Sequence, residues 1–188
     1  MNTITFETIQ VEKHGRVATL TLNRPDAMHA INMQMRSELR QALDALRRDA
    51  EIGAVVLTGG GEKAFSAGMD LREFAKTNAD MPVAEMKRYR WENNEGIAAF
   101  DKPIIAAVNG AAVGAGNDLA CMCDIRIAAS NARFAESFVK LGIIPGDGGC
   151  WLLPRTIGLS RAAEMALTGD MVDATQALAM GLVSSVVA

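Results

Sequence analysis

The sequence has no surplus of one charge, no long apolar run and few side chains able to hold a metal. Nineteen Lys and Arg stand against 22 Asp and Glu, giving a net charge of −3, and the basic residues are scattered. Without a basic face there is nothing to grip a phosphate backbone, so nucleic-acid partners are excluded. The longest apolar runs are strand-length, which argues against a membrane-spanning helix. The polar start MNTITFETIQ lacks the apolar core of a secretion signal, so a cytoplasmic location is expected. Three cysteines, Cys121, Cys123 and Cys150, sit among apolar or small residues. An odd number without a secretion signal reads as reduced core thiols rather than a disulfide framework. Two histidines, His14 and His29, and no Cys-x-x-Cys leave no metal-ligand spacing. No internal repeat of 20–50 residues and no low-complexity segment is evident.

What is present is an alternation of strand and helix signals over 188 residues, enough for one domain with a real core. Residues 8–23 read as a hairpin turning at His14-Gly15, followed by a loop, Asn23-Arg24-Pro25-Asp26. Met35, Leu39, Leu43 and Leu46 fall at helical spacing, which predicts an amphipathic helix over Met33–Arg48. Ala54–Leu57 is a buried strand, and TGGGEKAFSAGMDL is a long glycine-rich connection. A helix is predicted over Pro82–Phe100, with Pro82 near its start. Ile104–Val108 is a strand ending at Asn109-Gly110. Small residues follow, then Asp118 heads a helical-looking segment, and Ile125–Ala129 is a further strand. Ser160 and Asp173 are read as N-caps, with Gln176 completing a capping box. Gly181 ends the last helix before a strand over Leu182–Val187. The fold class is α/β.

Three familiar glycine motifs are absent. GAGNDL has Leu119 where a dinucleotide fingerprint needs glycine, and GGGEKA lacks the Gly-Lys-Ser/Thr of a P-loop. AFSAG has Ala64 where a nucleophile elbow needs glycine, so Ser66 reads as a loop hydroxyl. What remains is an ordered set: NRP, AFSAGMDL, KPIIAAVNGAAVGAGNDLACMCDIRIA and FAESFVKLGIIPGDGG. Small residues let a backbone approach a ligand closely, and a helix start offers free N–H groups to an anion.

Taken together, these segments closely resemble the enoyl-CoA hydratase/isomerase family, also called the crotonase family. The resemblance covers nearly the whole chain. It implies a spiral of repeated β-β-α units, a coenzyme A thioester as ligand, no separate cofactor, and trimers that often pair into hexamers. Relatives continue past the strand matching Leu182–Val187 with helices that cap the site and mediate trimer contacts. The sequence ends at Ala188, so that helical trimerisation segment is expected to be absent and residues 1–188 to form one core domain.

The chemistry implied is an enolate-like thioester oxygen held by two main-chain N–H groups, which by resemblance are those of Met69 and Ala115. Such preorganised donors are worth roughly 3–4 kcal/mol each. Ala115 lies where the family's central helix would begin, so the helix dipole adds to the same field. The plain alternative is that both glycine-rich segments are merely tight turns. By the same resemblance, the nucleotide end of the ligand falls to Arg24, Ala27, Met28, Ala30, Ala64, Ala67, Asp70 and Arg72. Arg24 and Arg72 read equally well as solvated loop cations. His29 belongs to the same loop and receives no catalytic role.

The acid–base pair is where the sequence departs from the pattern. Ordinary hydratases hold a water between two glutamates. The first falls at Asp118, one methylene shorter, and the second at Phe138, which cannot move a proton. General acid–base help is typically worth ~10²–10⁴-fold, so hydration should suffer unless another group substitutes. Glu136 is one candidate, facing the same side as Phe138 if the segment is a strand. Asp147 is another, one place beyond Gly146, where some isomerases and a dehalogenase of the family carry a loop aspartate. Each has a bland alternative: a solvent-facing or salt-bridged Glu136, a turn-forming Asp147, and an Asp118 serving only the helix dipole. Met86, Tyr89, Arg90, Trp91 and Trp151 are candidates for the acyl pocket or the core. The expected function is isomerisation or hydration of an acyl-CoA double bond, with a catalytically weak acyl-CoA-binding or assembly protein as the alternative.

Overall fold

In the computed structural model, residues 3–78, 97 and 99–188 are described. The chain starts with a short strand β1 (Thr3–Thr5), then the predicted hairpin of β2 (Ile9–His14) and β3 (Val17–Leu22). Ile9 faces Leu22, and His14 faces Val17 across the tight turn at Gly15. Ile9, Val11, Ala18, Leu20 and Leu22 are buried, with more exposed residues between them, as expected of a sheet with one face on the core.

Helix α1 (Met33–Arg48) has the predicted bounds. Asn32 caps it by accepting from the Met35 amide at 2.9 Å. Its inner face carries Met35, Leu39, Ala42, Leu43 and Leu46. Glu38 lies on that same face, held by the amides of Glu7 and Thr8, the Thr8 hydroxyl and the Gln34 side chain. This buried carboxylate ties α1 to the start of β2.

A repeating unit follows, in which one strand enters a large sheet and a shorter one enters a small sheet. Strand β4 (Ala54–Gly59) is followed by β5 (Ala64–Ser66) and α2 (Leu71–Asn78). Then β6 (Ile104–Val108) is followed by β7 (Ala111–Val113) and α3 (Ala115–Met122). Next come β8 (Ile125–Ala129), β9 (Arg133–Ala135), a 3-10 turn over Ser137–Leu141, α4 (Gly149–Ile157) and α5 (Leu159–Thr168). β10 (Val172–Asp173), α6 (Ala174–Ala179) and β11 (Ser185–Val187) end the chain. The large sheet runs β1-β2-β3-β4-β6-β8-β11, parallel from β3 onwards, and the small sheet runs β10-β9-β7-β5. This is the expected α/β spiral of β-β-α units.

The short strands of the small sheet escape sequence reading, because two or three residues such as Ala64-Phe65-Ser66 show no period. Their neighbours make them strands. The helix predicted over Pro82–Phe100, with Met86, Tyr89, Arg90 and Trp91, lies almost wholly outside the described residues.

Four local expectations need correction. Ser160 is not an N-cap: α5 begins at Leu159, entered from Gly158 at φ 82°, ψ 154°, a conformation essentially reserved for glycine. The last strand is shorter than predicted, because Leu182 and Val183 are buried before Ser185 joins β8. Cys150 is exposed on the outer side of α4, whereas burial pushes the thiols of Cys121 and Cys123 up to about 12. Trp151 is not in the core: it is 62% exposed beneath the Arg155 guanidinium. The Asp173–Gln176 capping box forms as read, with bonds of 2.8 and 3.0 Å. Gly181, at φ 79°, follows α6 as predicted.

Candidate active site

Parallel pairing of β5 with β7 sets the two glycine-rich loops side by side. Gly68 sits so close to the second loop that a β-carbon there would lie 2.4 Å from the Val113 carbonyl and 3.2 Å from the Ala115 nitrogen. Beside it, Ile31 donates to Gly68 O at 2.7 Å and accepts from Asp70 N at 3.0 Å. Both bonds flank Met69. Successive amides alternate in direction along an extended chain, so the Met69 N–H points to the other side. Ala115 opens α3, whose first N–H groups have no partner within the helix. Among the described residues neither amide has a hydrogen-bond acceptor.

Asn109 and Ser66 hold this arrangement. The Asn109 side chain bonds Gly59 in both directions and donates to the carbonyls of Gly61 and Ala64, closing the connection between β4 and β5. Ser66 donates to the His29 carbonyl at 2.8 Å and accepts from Gly68 N at 3.2 Å. It is not the loop hydroxyl the sequence implied but the last residue of β5, fully buried and with its hydroxyl engaged in holding the backbone. His29 is buried and clamps its loop: Nδ1 accepts from Arg24 N at 3.0 Å, and Nε2 bonds the Gly60 carbonyl at 2.8 Å. That pattern requires a neutral ring. Burial lowers its pKa, against the pull of the Gly60 carbonyl.

Three carboxyl groups gather behind the loops. Asp118 is the fourth residue of α3, which starts at Ala115 rather than at Asp118, and its side chain is completely buried. Glu136 is also completely buried and is not in a strand, because β9 stops at Ala135. The alternation argument for its direction therefore fails, although its inward placement survives. Asn117 Nδ2 donates to Glu136 Oε1 at 2.7 Å. Asp147 is 3% exposed on the turn before α4 and pairs with Arg36 of α1 at 3.4 Å. Neither a solvent-facing Glu136 nor a simple turn-forming Asp147 describes this cluster.

Burial, then the adjacent Glu136, then Asp147 push the Asp118 carboxyl well above the usual carboxylate range, with the Gly149 amide pulling back. Burial likewise raises Glu136, offset by the Asn117 and Asp118 contacts and reinforced by Asp147. Among the described residues neither Asp118 oxygen, nor Glu136 Oε2, has a hydrogen bond within 3.5 Å. Phe138 is buried with its ring against Gly114, confirming that this position contributes no proton carrier. Gly146 lies exposed on the turn beside Asp147.

Two cavities flank the loops. One of about 40 Å³ is walled by Ile31, Leu39, Leu43, Leu119 and Met122, with Ala115, Asp147, Arg36 and Arg40 also on it. The other, about 610 Å³, is lined by Arg24, Ala27, Ala30, Asp70, Arg72 and Lys76, among others. The structure thus brings together five of the eight residues named for the nucleotide end. Met28 is 45% exposed and turned away in a left-handed conformation, Ala64 is buried within β5, and Ala67 is bonded to the Met28 carbonyl. These three are not on the cavity wall. Arg24 is no solvated cation: it bonds Asp70 at 2.9 Å and the Ala30 carbonyl, fixing the rim. Arg72 is exposed.

Sequence reasoning missed Arg36 and Asn117. Arg36 stands 111 residues from Asp147, and only the spiral joins them. Asn117 was legible only as the neighbour of Asp118. Among the described residues no cluster of His, Cys, Asp and Glu is arranged to hold a metal, and no helix is long and apolar enough to cross a membrane.

Residues 12–188 match the family model described as enoyl-CoA hydratase/isomerase. The chain is 45% identical over 185 residues to a probable enoyl-CoA hydratase of Mycobacterium tuberculosis, covering 98% of this chain and 70% of that protein. It is 41% identical to a crotonyl-CoA hydratase of Syntrophomonas wolfei, over 97% of this chain and 70% of the relative. The crystal structure of an enoyl-CoA hydratase from Bacillus anthracis superposes with a TM-score of 0.88 at 37% identity, over 96% of this chain and 70% of that one. With the alignment, the superposed fold and the paired loops in agreement, the chain belongs to the enoyl-CoA hydratase/isomerase family.

Proposed function

We propose that this protein moves protons on the carbons next to a coenzyme A thioester, and that shifting a double bond along the acyl chain is the reaction its carboxyl groups fit best. The observation that carries this reading is that Ala115 and Asp147 line the same small apolar cavity. An acyl chain entering that cavity would set its thioester oxygen at the Met69 and Ala115 amides. Asp147 would take a proton from C2 of a 3-enoyl thioester. The C–H electron pair then passes into the carbonyl, giving an enolate whose oxygen the two amides stabilise, each worth roughly 3–4 kcal/mol. Collapse of the enolate with return of the proton at C4 yields the conjugated 2-enoyl thioester, and Asp147 is ionised again. Burial raises the Asp118 carboxyl well above the usual carboxylate range, which disfavours a competing charge beside the enolate.

The nucleotide end of coenzyme A would occupy the larger cavity, where Arg72 and Lys76 offer charge to its phosphates and Arg24 shapes the rim. No cofactor beyond the substrate's own coenzyme A is required by this chemistry. Exposed Ile144, Leu159 and Leu167, each more than 70% accessible, support assembly into a trimer or hexamer.

Hydration is the second reading, favoured by the opposed Asp118 and Glu136 side chains. Of their three unbonded oxygens, one from each side chain could accept from a single water and restore the two-carboxyl grip that Phe138 removes. Crotonyl-CoA hydration and 3-enoyl-CoA isomerisation, assayed side by side, decide between them. Faster isomerisation, abolished by Asp147→Asn, is expected. Efficient hydration lost in both Asp118→Asn and Glu136→Gln would reverse the order. Tight binding with no turnover of either thioester would leave a binding protein on the same scaffold.

A further inference from the structure

We propose that Arg36 is a positioning residue, holding Asp147 as an oriented carboxylate on the wall of the acyl cavity and so making it the proton acceptor of this site. The proposal rests on the isomerase reading above and adds the group that separates three neighbouring carboxyls into different roles.

The geometry is specific. Both terminal nitrogens of Arg36 lie 3.4 Å from the same Asp147 oxygen, Oδ1. The side chains are 12% and 4% exposed, so water screens this pair little. The contact links the first turns of α1 to the turn that enters α4, and both residues line the cavity that Ala115 also lines. Two residues past Asp147, Gly149 presses against Asp118. Arg36 therefore fixes one side of the turn whose other side fixes Asp118.

The charges around Asp147 make a cation necessary. Arg36 and Arg40 approach from α1, Asp118 from α3, and Glu136 from the end of β9. Three carboxyls so close together cannot all ionise. Asp118 and Glu136 have no cation bonded to them among the described residues, whereas Asp147 has Arg36. Removing the Arg36 guanidinium takes two donors from Asp147 Oδ1 and with them the orientation of the carboxylate. A carboxylate turned off the cavity wall accepts no proton from C2.

The test uses the full chain carrying Arg36→Met, Arg36→Lys or Asp147→Asn, and the Arg36→Met/Asp147→Asn double variant. Isomerisation of a 3-enoyl-CoA is followed from pH 5 to 9. Arg36→Met is expected to lower kcat about 10²-fold with KM changed less than about threefold. Arg36→Lys should restore most of the rate, and the double variant should be no slower than Asp147→Asn. A loss confined to KM, no recovery in Arg36→Lys, or additive losses in the double variant would overturn the assignment. Carbon-13 NMR of labelled aspartate, with the Asp147 signal identified by its loss in Asp147→Asn, gives an independent reading. At fixed pH that signal should move in Arg36→Met, and a signal that stays in place refutes the proposal even if the wild-type chain turns over no enoyl-CoA. That last outcome on its own would remove the isomerase reading and leave the ion-pair claim to the NMR result. Should Arg36→Met not fold, Arg36→Gln takes its place in both measurements.

Discussion

Gly149 packs against Asp118 so closely that a β-carbon on Gly149 would lie 2.2 Å from Asp118 Oδ1 and 3.0 Å from its carboxyl carbon. The site's most deeply buried acid is thus shaped by the absence of a side chain on another helix. Gly149→Ala should force the carboxyl aside. Overpacking of this kind costs typically about 1–3 kcal/mol. A lowered urea midpoint together with a loss of activity larger than the instability explains is the expected result. Unchanged kinetics in a folded Gly149→Ala protein would mean that the position of Asp118 is irrelevant to turnover.

Asp118 should weaken the fold as pH rises. Its folded pKa lies well above the unfolded value, so the folded state holds the proton more tightly. Relative to the unfolded chain, the benefit is full below the unfolded pKa near 3.8 and is lost as pH rises through the folded pKa. Asp118→Asn removes that loss. The variant is expected to be more stable at pH 8 by about 1–3 kcal/mol, the usual cost of a buried polar group left unsatisfied. In a chain of this size each kcal/mol moves Tm by about 2–4 °C. The gain should shrink towards pH 4, with 3-enoyl-CoA isomerisation retained because the amide keeps the position uncharged. Melts of both proteins across that range check it.

His29 gives the opposite sign. Its folded pKa is depressed by burial, and Nδ1 must stay unprotonated to accept from Arg24. The stability this clamp contributes is full above the unfolded pKa of about 6.5 and is lost as pH falls through the lower folded value. Wild-type Tm should therefore drop more steeply from pH 7.5 to 5.5 than that of His29→Asn. Parallel curves would show that the ring's protonation is not coupled to the loop.

The broad plan was legible because its signals are local. The hairpin at Gly15, the Met35–Leu46 stripe of α1 and the capping box at Asp173 each declare themselves within one or two turns of chain. The small sheet was not legible, since Ala64–Ser66 and Ala111–Val113 become strands only by lying beside each other. The site divides in the same way. Met69, Ala115 and Asp118 could be named only through the resemblance to a known family, and Glu136 and Asp147 as carboxyls near the position where that resemblance fails. Arg36 could not, because nothing in an amphipathic helix says which of its cations will meet a turn 111 residues away. Glu136 was found by an argument that its backbone does not obey. It points inward because Asn117 and the end of β9 place it there.

Phe138 offers the sharpest test of how the site came to differ from a two-glutamate hydratase. Its ring packs on Gly114, immediately before the Ala115 amide, and it is 3% exposed. Phe138→Glu would return a carboxyl to the position where ordinary relatives have one, but in a pocket that already holds Asp118 and Glu136. An added charge in a buried group of like charges has little to stabilise it, so the new residue should take a proton and the protein should lose roughly 2–4 kcal/mol. If Glu136 already fills the missing role, hydration will not increase and the variant will be only less stable. If the missing glutamate is what limits water addition, the ratio of crotonyl-CoA hydration to 3-enoyl-CoA isomerisation should rise at least about tenfold, the low end of a general acid–base contribution being ~10²-fold. The carboxyl cluster favours the first outcome: Glu136 lies buried against the same acid that the second glutamate would have to serve.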